Sequence, residues 1–111
     1  MTGNEYQKLA LRTAGTDNHD DLLLNGVMGL CGESGECIDL VKKCVFQGHA
    51  LEHIKLAKEL GDVAWYLAVA AYAIGYDLDT IMQMNIDKLK KRYPDGFSYE
   101  RSANREEGDI S

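Results

Sequence analysis

Gly32-Glu33-Ser34-Gly35-Glu36 and Glu59-Leu60-Gly61-Asp62 decide how this chain folds. Each holds two acids three residues apart. On a helix that spacing puts both side chains on one face, about one turn apart. Two such pairs on neighbouring helices bring four carboxylates into one small volume. Like charges at that range repel, and buried carboxylates without partners are costly. A cation between them removes the conflict. Oxygen-only donors favour a hard divalent ion, Mg²⁺ first and Mn²⁺ as the alternative, and such ions usually also meet substrate phosphates.

The sequence around both stretches is helical in pattern. Asn4 to Ala14 predicts a short first helix with Tyr6, Leu9 and Ala10 inward. Asp17 or Asn18 supplies the cap of a long second helix, His19 to Phe46. Its expected buried stripe is Leu23, Val27, Leu30, Cys37, Leu40, Val41 and Cys44. Gly26, Gly29, Gly32 and Gly35 interrupt this helix, each costing about 1 kcal/mol of propensity relative to Ala. Close approach of a neighbouring helix or of a ligand accounts for them. Gln47-Gly48 ends the helix, with Lys42 and Lys43 near its negative end.

A third helix is expected from Ala50 to Ile74, with Ile54, Ala57, Leu60 and Ala64 inward and Gly75 as its stop. Past Asp62 it is apolar on every side, so it must be surrounded. So few helices cannot surround it alone, which predicts self-association, a homodimer at least. Asp77 or Asp79 opens a fourth helix, about Asp79 to Tyr93, with Ile81, Met84 and Leu89 as core positions and Pro94-Asp95-Gly96 as its end. Residues 1–98 are read as one helical domain and 99–111 as a polar tail whose end, Glu106 to Ser111, is disordered.

Composition sets limits. The chain has 111 residues, enough for one domain, with one proline and a net charge of -6. That charge argues against a nucleic-acid surface. No uncharged run reaches the ~20 residues a membrane helix needs, and Met1 to Lys8 is too polar for a signal peptide. Cys31, Cys37 and Cys44 form no CxxC and read as small hydrophobes in a reducing cytoplasm. His49-Ala50-Leu51-Glu52-His53 fits the inverted zinc-protease motif, but no third ligand is evident and exposed histidines are the expectation. A carboxylate-bridged di-iron bundle needs two Glu-x-x-His motifs, which are absent.

From the residues alone, the acid pairs fit either a metal centre or a solvated, salt-bridged face. Asn85, Lys88 and Arg92 line one face of the fourth helix, with Lys91 and Tyr93 near. They suit either a polyphosphate or a solvated cationic helix end.

Three ordered blocks then match a known pattern. Glu33-x-x-Glu36, 22 residues, and Glu59-x-x-Asp62 followed by Val63-Ala64-Trp65-Tyr66-Leu67 resemble the MazG-like all-α nucleoside triphosphate pyrophosphohydrolases. So does Asn85-x-x-Lys88-Leu89-x-Lys91-Arg92-Tyr93-Pro94-x-Gly96-Phe97. The resemblance implies an all-α, four-helix bundle completed by oligomerisation as a homodimer or dimer of dimers. It implies a hydrolase that cleaves a (deoxy)nucleoside triphosphate to monophosphate and pyrophosphate, in nucleotide-pool housekeeping. Glu33, Glu36, Glu59 and Asp62 would be the Mg²⁺ ligands, with Glu33 or Glu36 also activating water. Asn85, Lys88, Arg92 and Tyr93 would contact phosphates. His19, Asn25 and Trp65 are the candidates for the base pocket. The competing class is a helical module that binds nucleotide without turning it over.

Overall fold

A computed structural model describes residues 1–105; Glu106 to Ser111, expected to be disordered, lie outside the described residues. Among the described residues the elements are α1 (Gly3–Ala10) with a 3₁₀ turn (Leu11–Thr13), α2 (His19–Gln47), α3 (His53–Ala73), α4 (Leu78–Arg92) and α5 (Tyr99–Ala103). The all-α expectation holds.

The ends of the helices follow local chemistry. Asn18 Oδ1 accepts from the Asp21 amide at 3.0 Å and starts α2. Gly48 stops it in the left-handed region, φ 70°, with its amide bonded to Lys43 O. α3 starts three residues later than expected. Glu52 is extended at the N-cap (ψ 107°), so His49 lies in a loop and shares no helix face with His53. Both histidines are exposed. α4 begins at Leu78, so Asp77 precedes it and Asp79 sits in its first turn. Part of the polar tail is ordered as α5, whose cap Ser98 accepts from the Arg101 amide at 3.1 Å.

The backbone forms two compact units, Met1–Leu78 and a second beginning at Asp79. In the first, α2 and α3 run antiparallel, as their paired contacts show. A Cβ on Gly26 would meet Ala70 backbone at 3.0 Å, and one on Gly29 would meet the Tyr66 ring at 2.1 Å. These two glycines let the helices touch. Gly32 and Gly35 have nothing within 4 Å of such a Cβ, so helix packing does not require them.

This contact moves the start of each buried stripe from its expected place. On α2 the expected stripe holds from Leu30 onward, where Leu30, Cys37, Leu40, Val41 and Cys44 are half-buried. Before it the inward row is Leu22, Gly26 and Gly29, and Leu23 and Val27 are 38% and 52% exposed. On α3, Ile54, Ala57 and Leu60 face outward, and the covered row is Leu56, Glu59, Val63, Tyr66, Ala70. Glycines carry no hydrophobic signal, so the pattern of large apolar residues points to the adjacent, exposed row.

α1 covers another side of α3. Ala10 packs with Ala68 and Leu78, with Tyr6 and Trp65 against them. Gln7 is buried, and its Nε2 donates to Ala68 O at 3.0 Å and Tyr76 O at 3.1 Å. Its Oε1 accepts from the Leu78 amide at 3.2 Å. One side chain thereby satisfies three backbone groups where α3 gives way to α4. The apolar end of α3 is thus covered on two sides from within the chain, although Ile74 stays exposed.

The second unit is thinly packed. Met84 and Leu89, expected in a core, are 53% and 38% exposed. Arg101 Nε donates to Arg92 O at 2.8 Å, and rings stack from Tyr93 to Phe97 to Tyr99.

Two outcomes follow for stability. Gly29→Ala lowers unfolding free energy by about 1–3 kcal/mol because the Tyr66 ring must be displaced, whereas Gly35→Ala raises it by about 0.5–1 kcal/mol through helix propensity. Gln7→Ala costs about 1–3 kcal/mol by stranding buried backbone groups. Urea titration followed by circular dichroism reads all three.

Candidate metal centre

The antiparallel register that sets Gly26 on Ala70 and Gly29 on Tyr66 carries on one turn further. Glu33 is the next inward position on α2, and Glu59 and Asp62 are the acids of α3 at that level. Glu33, Glu59 and Asp62 each offer a carboxylate oxygen within 4.8 Å of the others. Glu33 and Glu59 are half-buried and Asp62 is exposed.

The electrostatics show the strain. The Glu33 carboxyl is raised above its ordinary value, first by a side-chain hydrogen bond with Glu59, then by burial, then by the charges of Glu59, Asp62 and Glu36. Two carboxyl groups share a hydrogen bond only when one holds a proton. Cys37, one turn along, is raised by burial and by the same four acids. Burial and then the Asp62 charge raise the Tyr6 hydroxyl. Lys43 is engaged with Asp39 at 2.9 Å, and that hydrogen bond is the main reason Asp39 is lowered. Three carboxylate oxygens within 4.8 Å of one another, carried on two helices, fit a hard divalent cation.

Beside the acids lies a cleft of about 310 Å³ lined by Thr13, Glu33, Asp62, Trp65 and Tyr66. Trp65 Nε1 donates to Ala10 O at 3.0 Å and to Thr13 Oγ1 at 3.1 Å. Its ring meets Tyr66 edge-on, centroids 5.0 Å apart. Trp65 therefore belongs both to the edge of the core and to the cleft wall.

Not every candidate joins this group. Glu36 is exposed and outside the three-carboxylate set, although its charge reaches Glu33. His19 sits at the start of α2, stacked on Tyr72 at 5.1 Å, with Nδ1 3.2 Å from Ala73 O. A carbonyl only accepts, so that nitrogen carries the proton. His19 and Asn25 are exposed and are not among the residues lining the cleft. Asn85, Lys88, Arg92 and Tyr93 are in the second unit: Asn85 and Lys88 are exposed, Arg92 and Tyr93 half-buried. Sequence reasoning missed Thr13, which stands twenty residues before Glu33 in no motif.

The described residues form an all-helical protein in which one helix pair gathers three carboxylates beside a cleft, a donor set that a hard divalent cation fits. The chain belongs to the MazG nucleotide pyrophosphohydrolase domain family, whose model matches residues 24–97. Among curated proteins it is 37% identical over 82 residues to "Gene 37 protein" of Mycobacterium phage L5, covering 70% of this chain and 72% of the relative. No solved structure matches it significantly. Among the described residues, no helix is long and apolar enough to cross a membrane.

Without metal, Glu33→Gln raises the melting temperature, because the amide can donate to Glu59 without a bound proton and carries no charge to repel it. Added Mg²⁺ raises the wild-type melting temperature and leaves that of the variant nearly unchanged. Differential scanning fluorimetry with and without chelator checks both.

Proposed function

We propose that this chain is a Mg²⁺-dependent hydrolase that converts (deoxy)nucleoside triphosphates to monophosphate and pyrophosphate, serving nucleotide-pool housekeeping. The observation that carries the reading is the convergence of Glu33, Glu59 and Asp62 beside a cleft, in a chain of a pyrophosphohydrolase family. Glu33, Glu59 and Asp62 are the residues that would chiefly hold the cation, with Glu36 at most a peripheral fourth ligand. When bound, Mg²⁺, or Mn²⁺ in its place, offsets the triphosphate charge and eases deprotonation of water.

The chain's own groups do the rest. Glu36 stays outside the three-carboxylate set, which supports giving it the water proton rather than a full ligand role. The water oxygen bonds to the α-phosphorus as the α–β anhydride bond breaks, and the electron pair leaves with pyrophosphate. By resemblance, Asn85, Lys88, Arg92 and Tyr93 bind the phosphates, and the cationic pair stabilises charge on the departing group. Glu33, half-buried against Glu59, fixes one wall of the site.

The protein acts in the cytoplasm as a homodimer or a dimer of dimers. Supporting this is a broad exposed apolar surface on α2, with Leu24, Met28, Ile38, Val45 and Phe46 all above 60% exposed. Such area on a chain with so few fully buried large side chains is what a second copy covers. The net charge of -6 argues against a nucleic-acid surface and leaves room for a nucleotide, because a bound cation inverts the local field.

Pyrophosphate release with Mg²⁺, measured over canonical and damaged triphosphates, tests the reading. Glu36→Gln lowers kcat by about 10²-fold or more while Mn²⁺ affinity changes little, and Asp62→Asn loses Mn²⁺ binding in calorimetry. Nucleotide binding with no release from any triphosphate would instead support a non-catalytic module.

A further inference from the structure

The cleft wall includes a residue that the family match does not reach. Thr13 ends the 3₁₀ turn after α1, eleven positions before the matched region begins at 24. Its hydroxyl donates to Ala10 O at 3.1 Å and accepts from Trp65 Nε1 at 3.1 Å. A threonine hydroxyl has one proton and two lone pairs. The proton is committed to Ala10 and one lone pair to Trp65. What remains toward the cleft is a single acceptor.

We propose that Thr13 is a specificity-determining residue: its acceptor-only hydroxyl, fixed beside the Trp65 ring in the cleft wall, selects nucleosides that present a hydrogen-bond donor there. This rests on the reading of the adjacent acids as the triphosphate site, since Glu33 and Asp62 share the cleft with Thr13 and Trp65. With phosphates at the acids, the cleft takes the nucleoside half. At about 310 Å³ its volume is at the small end of ligand pockets and suits one nucleoside. The aromatic wall gives a stacking surface of no base preference. Thr13 is exposed in the free protein, so preference arises when a stacked nucleoside covers its lone pair: one bearing a donor there replaces the displaced water and one without it does not. The donor is either an amino group on the base or a hydroxyl on the sugar.

Trp65 is the sole tryptophan of the chain, so its fluorescence reports the cleft directly. Free nucleosides are the probe, because they bind without needing the acids or a metal. Cytidine against uridine reads the base amino group. Cytidine against its 2′-deoxy and 2′,3′-dideoxy forms reads the sugar hydroxyls. The expected result is saturable quenching, with one donor-bearing member of these pairs bound roughly fivefold more tightly than its counterpart. Thr13→Val abolishes that difference and Thr13→Ser preserves it. Ala10 O still accepts the indole N–H in Thr13→Val, so the melting temperature stays unchanged and a structural effect is separated from a recognition effect. Absence of saturable quenching, equal affinity across both pairs, or a preference that survives in Thr13→Val overturns the proposal. Quenching with the expected preference but no pyrophosphate release from any triphosphate overturns the hydrolase reading and leaves this one standing.

Discussion

Everything in the first unit depends on how closely α2 and α3 approach. A β-carbon at Gly29 would lie inside the Tyr66 ring's contact distance, and one at Gly26 would press on the backbone of Ala70. Two glycines thus set both the spacing and the register of an antiparallel pair. Once the register is set, Glu33, Glu59 and Asp62 stand at one level of the pair. Glu33 is one further turn along the same inward row, and it meets Glu59 and Asp62. The packing of the pair and the chemistry of the site are one constraint expressed at two heights along the same helices.

That constraint works against stability. A hydrogen bond with Glu59, then burial, then the charges of the neighbouring acids raise the Glu33 carboxyl above its ordinary value. Sites of this kind keep an unfavourable local arrangement because the rest of the structure imposes it. Here the rest of the structure is modest. Among the described residues the buried apolar side chains are few, Ala10, Leu22, Ala68, Val69, Ala71 and Leu78, and half of them are alanines. Helix pairing, one buried glutamine and good caps therefore matter more than a large core.

Much of this was legible in the sequence, and the failures have physical causes. Helix ends were found to within a few residues because caps are local: Asn18, Gly48 and Gly75 act on their own neighbours. The acid pairs were found because their spacing is itself the signal. The inward face holds over the second half of α2 and fails at its start and along the first part of α3. On α2 the true row passes through Gly26 and Gly29, which have no side chain to register in a hydrophobic pattern. On α3 it includes Glu59, a charged residue that periodicity assigns to solvent. Gln7 and Thr13 were invisible for another reason. Each works through partners more than fifty residues away, Ala68 and Leu78 for Gln7 and Trp65 for Thr13. No local pattern encodes such a pairing.

Gln7 has a bearing on how the chain is made as well as on how it stands. Its acceptor pairs with an amide 71 positions downstream, and its donor with carbonyls 61 and 69 positions downstream. A ribosome adding about 5–20 residues per second needs several seconds to supply those partners. For that interval Gln7 is without its partners, so the bonds that fasten α1 to the end of α3 wait until α3 and the turn beyond it have been made.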